Sequence, residues 1–293
     1  KIQFKGDQDM NLINSSNSLG GEIEGIDLKK PLTETQIKFI NHSWDERLVL
    51  VFKNQKLDDN DLINFSKNFG ELDPPGPNPY GITFLPDFPE INVISNVKNN
   101  TGIPIGNLGD GEAVWHADMT YNEIPPKAGI LYALEVPENQ GNTHFANMTY
   151  AYNQLSERLK NKINDKTLIH DSAHNSAGML RKGYNETNNP SQTPGARHPL
   201  VIRDPQTNKK MLFLGRRPHA YIIGMEVIES EKLLDEIWQH ATQVKFTWTQ
   251  KWKVGDLLMW KNLNVLHKRD SFDPSTRRVM HRTQLKGDIK IAI

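Results

Sequence analysis

The sequence predicts a β-rich α+β protein in which a sheet core is flanked by helices. Short strand-like runs recur along most of the chain, and apolar residues at helical spacing are confined to a few segments between them. The 293 residues, 37% of them hydrophobic, are enough for a substantial core. Because the sequence has neither an internal repeat nor a linker long enough to separate two cores, we expect a single domain over residues 1–293.

Four segments carry apolar residues at helical spacing and are predicted to be helices. The first, at 37–44, leads into a strand-like run at 48–52. The second begins after Asp58 as N-cap and ends at Gly70 as C-cap, and the others cover 149–163 and 230–241. Six further strand-like runs alternate with the helices, at 90–96, 127–136, 200–203, 210–214, 256–260 and 277–286.

Two polar segments are predicted to be loop or lid insertions, near 97–113 and 171–197. The second is rich in Asn, Ser, Gly and Pro and exceeds the roughly 4 to 6 residues of a usual connection, so it forms a lid or is disordered. A shorter loop is predicted at 73–81, DPPGPNPYG, because its prolines remove backbone donors and restrict the residues before them.

Composition excludes several classes of function. Thirty-five basic and thirty-five acidic residues cancel, so no global field predicts binding to nucleic acid or to a membrane surface. The absence of cysteine excludes disulfides, a thiolate nucleophile, iron–sulfur clusters and cysteine-ligated zinc. No apolar run approaches the roughly 20 residues of a membrane-spanning helix, and the first residues lack the apolar centre of a signal peptide. We therefore expect a cytoplasmic protein.

The string WHADMT contains a candidate metal-binding pair, His116 and Asp118. In an extended segment, residues two apart point to the same side with Cα atoms roughly 6 to 7 Å apart, so both can reach one ion. A histidine that is merely hydrogen-bonded to a nearby carboxylate would look the same.

A third candidate ligand lies far along the chain, where a strand ends, a turn follows and His267 precedes a charged loop. Two histidines and one carboxylate form the facial triad of non-haem Fe(II) oxygenases, which leaves neighbouring positions for a bidentate 2-oxo acid and dioxygen. A zinc hydrolase could use the same three ligands, with water in the open position. A binding module without catalysis would need no open metal position.

The following segment, RRVMHRTQLKG, places Arg278 and Arg282 on one face of a predicted strand, roughly 13 Å apart. If that face points inwards, bound carboxylates are the natural compensation for buried guanidinium groups. A solvated edge strand would carry the same pattern.

At this point the chain resembles the taurine dioxygenase and dichlorophenoxyacetate dioxygenase family of Fe(II)- and 2-oxoglutarate-dependent enzymes. The likeness runs from GGEIEGIDLKKPL through LVLVFKNQKL and FSKNFGEL, and is densest in WHADMTYNEIPPKAGILYALEVPENQGNTHFANMTYAY and VGDLLMWKNLNVLHKRDSFDPSTRRVMHRT. It implies a double-stranded β-helix, or jelly-roll, core with flanking helices. It also implies a homo-oligomer.

The resemblance assigns roles to individual residues. It makes His116, Asp118 and His267 the iron ligands and catalytic residues, and Arg278, eleven residues after His267, the anchor for the distal carboxylate of 2-oxoglutarate. Thr143 supports that carboxylate, and Arg282 lies near the proximal carboxylate and the acidic group of the substrate. Lys98 matches a substrate-binding lysine in a variable loop, where a merely solvated lysine is the alternative. Tyr80 is a weaker candidate for the pocket wall.

The implied reaction converts 2-oxoglutarate and O₂ to succinate and carbon dioxide while a hydroxyl group is placed on the substrate. Hydroxylation next to a heteroatom gives a product that breaks down, so the expected substrate is a small organic anion. Lys98 favours an aryloxyalkanoate-type carboxylate. A taurine-like sulfonate, a phosphonate or an alkyl sulfate ester is the alternative, because cationic side chains bind all of these anions. A zinc hydrolase has no need for Arg278 or Thr143, whereas in a non-catalytic binding module the two histidines and the aspartate could be replaced without loss of ligand binding.

Overall fold

The computed structural model describes residues 10–76, 78, 80–107, 113–175 and 178–291. In these residues the helices are α1 (Glu34–Arg47), α2 (Asp59–Lys67), α3 (Met148–Asn153), α4 (Glu157–Ile163) and α5 (Val227–Ala241), with 3-10 turns at Pro190–Gln192 and Val244–Phe246. The strands are β1 (Asn11–Asn14), β2 (Gly21–Glu24), β3 (Val49–Phe52), β4 (Leu72–Asp73), β5 (Asn92–Ser95), β6 (Ala113–His116), β7 (Ala128–Glu135), β8 (Thr143–Asn147), β9 (Thr167–Ile169), β10 (Arg197–Pro199), β11 (Val201–Arg203), β12 (Lys210–Leu212), β13 (Tyr221–Ile222), β14 (Thr247–Gln250), β15 (Leu257–Lys261), β16 (Val265–Arg269) and β17 (Val279–Leu285).

Two sheets form the centre of the fold. The larger has eight strands in the order β1-β2-β3-β15-β7-β17-β4, with β5 also paired to β17, and the smaller has four in the order β14-β8-β16-β6. Pairing is antiparallel throughout the described strands except between β2 and β3. Two minor sheets, β10-β9-β13 and β11-β12, lie outside them. This arrangement agrees with the jelly-roll core expected from the sequence.

Alternating side chains of the larger sheet enter two different cores, as the two-residue period of a strand requires. In β3, Val49 and Val51 face the smaller sheet together with Phe145 and Val265. Leu50 and Phe52 point the other way, against α1 and α2. A third cluster packs α3, α4 and α5 on the outer face of the smaller sheet. The space between the two sheets is therefore lined by one face of each.

The first two predicted helices are confirmed, and both begin with a capping box, at Thr33 and Asp58. The predicted end of the second helix at Gly70 was wrong, because the helix ends at Lys67 and Asn68 is its C-cap. The single helix predicted at 149–163 is two short helices. Ser156 interrupts it, because its side chain accepts a hydrogen bond from the backbone of Leu159 and starts a new helix.

The loops predicted from composition are connections between strands. The loop at 73–81 is irregular in its described part, and Pro77 and Pro79 lie outside the described residues. Residues 108–112 of the first predicted insertion and residues 176–177 of the second also lie outside them. Of the helices in the described residues, none is long and apolar enough to cross a membrane.

Candidate active site

The two candidate histidine ligands lie on neighbouring strands of the smaller sheet. His116 ends β6 and is the direct cross-strand partner of His267 in β16. Such partners project from the same face of a sheet, and the two ring centroids are 4.3 Å apart. As the sequence suggested, His267 follows a strand and a turn, and the structure adds that it lies within a further strand, because 265–269 pairs with β8 on its other side.

Asp118 brings a carboxylate against both imidazoles. Its Oδ1 lies 3.3 Å from His116 Nε2 and 3.6 Å from His267 Nε2. The candidate ligand atoms of the three residues all lie within 4.8 Å of one another. Strand β6 ends at His116, and Met119 has a left-handed backbone with φ of 51°. A turn, and not the extended segment that the sequence suggested, therefore directs Asp118 towards the histidines.

Asp118 and His267 have the protonation states that a metal ion requires of its ligands. Burial alone would raise the pKa of Asp118, but the Arg282 guanidinium and the two histidines hold that pKa well below its usual range. Burial is the main cause that lowers the pKa of His267 to about 3, although Asp118 opposes it. His116 donates from Nδ1 to the Val114 carbonyl at 2.6 Å, which leaves its Nε2 for the site.

Strand β17 presents alternate side chains to the site, as its sequence predicted. Arg282 donates to Asp118 Oδ2 at 2.5 Å, and Gln284 donates to Met119 Sδ at 3.4 Å. On the opposite face, His281 pairs with Asp59 at 2.6 Å, so that face packs against α2. The arginine face of this strand therefore points inwards.

Arg278 lies immediately before β17 and is only 2% exposed. Within the described residues no carboxylate forms an ion pair with its guanidinium, and its Nε is buried without a hydrogen-bond partner. Burial, followed by the nearby charge of Arg269, lowers the pKa of Arg278 to about 9. Gly141, with φ of 61°, approaches so closely that an added Cβ would lie 3.3 Å from that Nε. A buried cation without a counterion is costly, so the surroundings of Arg278 fit an anionic ligand.

Thr143 is the first residue of β8, and its cross-strand partner in β16 is Arg269. Because the charge of Arg269 lies near Arg278, Thr143 is on the same side of the site as Arg278. Its hydroxyl accepts a hydrogen bond from Trp252 Nε1 at 2.9 Å. An hydroxyl that accepts in this way still has its own proton to donate. Thr143 is buried, so its hydroxyl proton is available to a bound anion with little competition from water.

The two candidate substrate residues are not joined to the triad by hydrogen bonds or ring contacts among the described residues. Lys98 is exposed and forms an isolated β-bridge with Pro104 in the loop that follows β5. Tyr80 is 50% exposed, and its ring lies 6.5 Å from that of Phe84. Strand β5 does run beside β17, with Ser95 opposite Val279, so Lys98 follows a strand that borders the arginine face.

Two buried or half-buried asparagines that the sequence did not single out hold the site's backbone. Asn96 accepts from the backbone N–H of Arg278 at 3.0 Å and donates to the Thr276 carbonyl at 2.9 Å. Asn262 makes the same kind of bonds to Asp118. In the sequence both look like ordinary turn residues. The only available signal was that Asn262 interrupts an apolar run, LLMWKNLNVLH.

A second group of possible metal ligands in the described residues is Asp171, His174 and His219. The rings of His174 and His219 stack at 3.7 Å with an angle of 5°, so their in-plane lone pairs lie in separate parallel planes and cannot both point directly at one ion. Both nitrogens of His174 are already bonded, to Asp171 at 2.8 Å and to Glu186 at 3.0 Å. This group is a closed ionic network, in contrast to the triad.

The triad has the composition and geometry for iron. Its two imidazoles and one carboxylate are the donor set of the non-haem Fe(II) oxygenases. The Val114 hydrogen bond orients His116, the Arg282 ion pair orients Asp118, and the strand pairing places His267 opposite His116. The guanidinium of Arg278, whose Nε is buried without a hydrogen-bond partner, could hold a carboxylate.

Comparison with known proteins agrees with this geometry. The family model "Taurine catabolism dioxygenase TauD, TfdA family" matches residues 13–284. The alpha-ketoglutarate-dependent 2,4-dichlorophenoxyacetate dioxygenase of Cupriavidus pinatubonensis (strain JMP 134 / LMG 1197) is 30% identical over 273 residues, which cover 91% of this chain and 94% of that protein. The alkylsulfatase of Acinetobacter baylyi (strain ATCC 33305 / BD413 / ADP1) is 27% identical over 296 residues, covering 96% of this chain and 86% of that protein.

A solved structure has the same fold. The crystal structure of AAD-2 in complex with Mn(II) and N-oxalylglycine matches with a TM-score of 0.77 at 28% identity, and covers 97% of this chain and 100% of that chain. The family match spans both sheets and every residue of the triad. The chain therefore belongs to the TauD, TfdA family and is an oxidoreductase of the 2-oxoglutarate-dependent dioxygenase class.

Proposed function

We propose that this dioxygenase hydroxylates a small organic anion next to a heteroatom, and that the substrate is an aryloxyalkanoate-type carboxylate. The observation that carries the proposal is the site itself, in which Asp118 faces both His116 and His267 while the buried Arg278 has no counterion among the described residues. A zinc hydrolase needs the three ligands but has no use for a buried, unpaired arginine beside them.

Each residue of the site has a part in the proposed reaction. His116, Asp118 and His267 would hold Fe(II). The iron would supply the redox chemistry that links oxidative decarboxylation of 2-oxoglutarate by O₂ to hydroxylation of the substrate. Arg278 and Thr143 bind the distal carboxylate, the first through its guanidinium and the second through its free hydroxyl proton.

Arg282 has two roles in this proposal. Its ion pair keeps Asp118 anionic and oriented, and its remaining donors face the proximal carboxylate and the acidic group of the substrate. The guanidinium also lies 5.1 Å from the centre of the Trp260 ring, which limits its movement. Because Asp118 and Trp260 both restrain the Arg282 side chain, it can bind the cosubstrate and the substrate without first changing its conformation.

Lys98 and Tyr80 are proposed to complete the substrate pocket from the loops beside β5. Within the described residues Lys98 has no ion-pair partner, so its ammonium group is available to a carboxylate. The relative named for 2,4-dichlorophenoxyacetate supports an aryloxyalkanoate, whereas the relative named alkylsulfatase supports a sulfate ester as the second candidate. Lys98 and Arg282 alone do not distinguish these anions.

A panel of anions tests the proposal. The purified protein with Fe(II), 2-oxoglutarate and O₂ is expected to release succinate fastest with a phenoxyacetate, compared with taurine, an alkyl sulfate and an alkylphosphonate. Lys98→Ala is expected to raise KM for the phenoxyacetate about two- to fivefold, since an exposed ion pair contributes up to about 1 kcal/mol. The control is Lys209→Ala, because Lys209 is an exposed lysine in the turn between β11 and β12.

The possible outcomes of the panel are distinct. If turnover is faster with the alkyl sulfate or with taurine than with the phenoxyacetate, the substrate is a sulfate ester or a sulfonate and not a carboxylate. A Lys98→Ala enzyme with unchanged KM for the phenoxyacetate would remove Lys98 from the pocket. If no anion stimulates succinate formation, hydroxylation of a small anion is the wrong function.

We also propose that the described parts of the predicted second insertion, residues 171–175 and 178–197, cover the site. Arg216 is the bridge partner of His116, so its side chain leaves the same face as that ligand. Its guanidinium donates to Asp171 Oδ2 at 3.1 Å, to the His174 carbonyl at 2.9 Å and to the Asn175 carbonyl. These bonds attach the start of the segment beside the triad, where a cover would exclude water from the reaction.

Arg216→Ala tests this attachment. The variant is expected to speed hydrogen exchange at the backbone amides of Ala173 and Arg181 roughly 10- to 100-fold, since a hydrogen bond to a charged group contributes about 1.5–3 kcal/mol. The matched control is Arg217→Ala, because Arg217 pairs with Glu231 and Asp235 of α5 instead. Equal exchange in the two variants would show that Arg216 does not hold the segment.

A further inference from the structure

Asn262 lies between the chain segment that carries His267 and the segment that carries Asp118. It follows β15 and precedes β16, the strand that carries His267. Its side chain, however, is bonded to the other half of the site, at Asp118. Asn262 is 1% exposed, so water does not compete for these bonds.

The three hydrogen bonds of the Asn262 amide use its oxygen and both of its N–H groups. Oδ1 accepts from the Asp118 N–H at 2.8 Å, and Nδ2 donates to the Asp118 carbonyl at 2.8 Å and to the Pro126 carbonyl at 2.9 Å. Accepting from and donating to the backbone of one residue reproduces the pairing that a neighbouring strand would give. Reversing the amide would place donor against donor, so only one orientation is compatible with these partners.

Asp118 needs such a partner because it has left the sheet. Strand β6 ends at His116, and the left-handed φ of 51° at Met119 holds the chain in a conformation that non-glycine residues rarely adopt. Without Asn262, both backbone polar groups of Asp118 would lose their bonds in a partly buried position. The carboxylate orientation depends on that backbone, since Asp118 has only two side-chain torsions.

We propose that Asn262 is a positioning residue for the metal site, which holds Asp118 at the distance from His267 that a shared ion requires. The inference rests on the proposed function only in that the triad binds a divalent metal. Asn262 belongs to the turn that connects β15 to β16, the strand of His267, so its amide joins the ligand at 118 to the strand of the ligand at 267. Loss of a group that orients a metal ligand typically weakens metal affinity about 10- to 100-fold.

Co(II) titration of the metal-free protein tests this role without any turnover. Asn262→Ala is expected to bind Co(II) about 10- to 100-fold more weakly than the unmodified protein. The matched control is Asn264→Ala, since Asn264 is 5% exposed in the same turn but donates to Asp204 Oδ2 at 2.7 Å, away from the triad. Both variants lose a buried amide, so their free energies of unfolding in urea should fall together while only Asn262→Ala loses affinity.

Asn262→Asp provides a second variant of the same size if the alanine protein does not fold. It keeps the acceptor for the Asp118 N–H and loses both donated bonds, so it is also expected to bind Co(II) more weakly than Asn264→Ala. Affinity equal to that of the unmodified protein in either Asn262 variant, or an equal loss in Asn264→Ala, would overturn the positioning role. Failure of the unmodified protein to bind Co(II) would overturn the proposed function as well.

Discussion

Asp118→Asn is expected to lower iron-dependent succinate formation at least about 100-fold. Removing a residue that only hydrogen-bonds to a metal ligand already lowers activity by up to about 100-fold, and Asp118 is itself a proposed ligand. The carboxylate supplies the only negative charge of the triad, and its Oδ1 faces both imidazoles at 3.3 and 3.6 Å. The Arg282 guanidinium and the two histidines outweigh burial and keep the pKa of Asp118 well below its usual range, so the native side chain is anionic at neutral pH. Asparagine has nearly the same shape but carries no charge.

The measurement for Asp118→Asn combines succinate release with Co(II) affinity. Asp59→Asn is the matched control, because Asp59 also pairs with a histidine, His281 at 2.6 Å, but on the opposite face of β17. The control is expected to retain activity and metal binding. Metal-dependent turnover in Asp118→Asn close to that of the unmodified enzyme would remove Asp118 from the iron site.

Arg278→Met is expected to weaken 2-oxoglutarate binding by about 2–5 kcal/mol, or roughly 30- to several thousand-fold, because it removes one partner of a buried charge pair. The same variant should leave the ligand-free protein as stable as before or more stable. In the ligand-free state Arg278 is a buried cation without a counterion among the described residues, and an apolar side chain of similar volume avoids that cost. Opposite effects on binding and on stability distinguish a ligand-binding arginine from a structural one.

The measurements for Arg278→Met are calorimetric binding of 2-oxoglutarate and urea unfolding without ligand. Arg277→Met is the matched control, because the neighbouring Arg277 is exposed and pairs with Glu135 at 3.0 Å. Exposed pairs contribute little, so both quantities should change by less than about 1 kcal/mol in the control. If Arg278→Met binds 2-oxoglutarate as tightly as the unmodified protein does, Arg278 is not the anchor. A loss of stability in that variant would then indicate a structural role.

Much of the fold could be predicted from local patterns. The run at 48–52 and the helices before and after it follow from apolar spacing and from the capping residue Asp58. The alternation after Arg277 correctly separated the arginine face of β17 from the face that packs against α2. Where a competing local signal existed, as at Ser156, the prediction of one long helix was wrong.

The site could be predicted less completely. His116, Asp118 and His267 were proposed as one group from the sequence and the family resemblance, and the structure brings them within 4.8 Å. The ion pair between Asp118 and Arg282 and the backbone bonds of Asn96 had no sequence signal beyond residue type, and those of Asn262 had only its place within an apolar run. These partners are distant in the chain, so their spacing in sequence carries no information about their contact.

The sequence by itself determined which residues share a face of each strand and which helices are amphipathic, because both depend on periods of two and 3.6 residues within one segment. Only the tertiary structure decided that β16 lies between β6 and β8, and therefore that His267 faces His116. That register is set by packing between segments far apart in the chain, where a shift of one residue would turn every side chain to the other face. The residues of the metal site are thus readable in the sequence, whereas their convergence and the asparagine that holds it depend on how the strands pair.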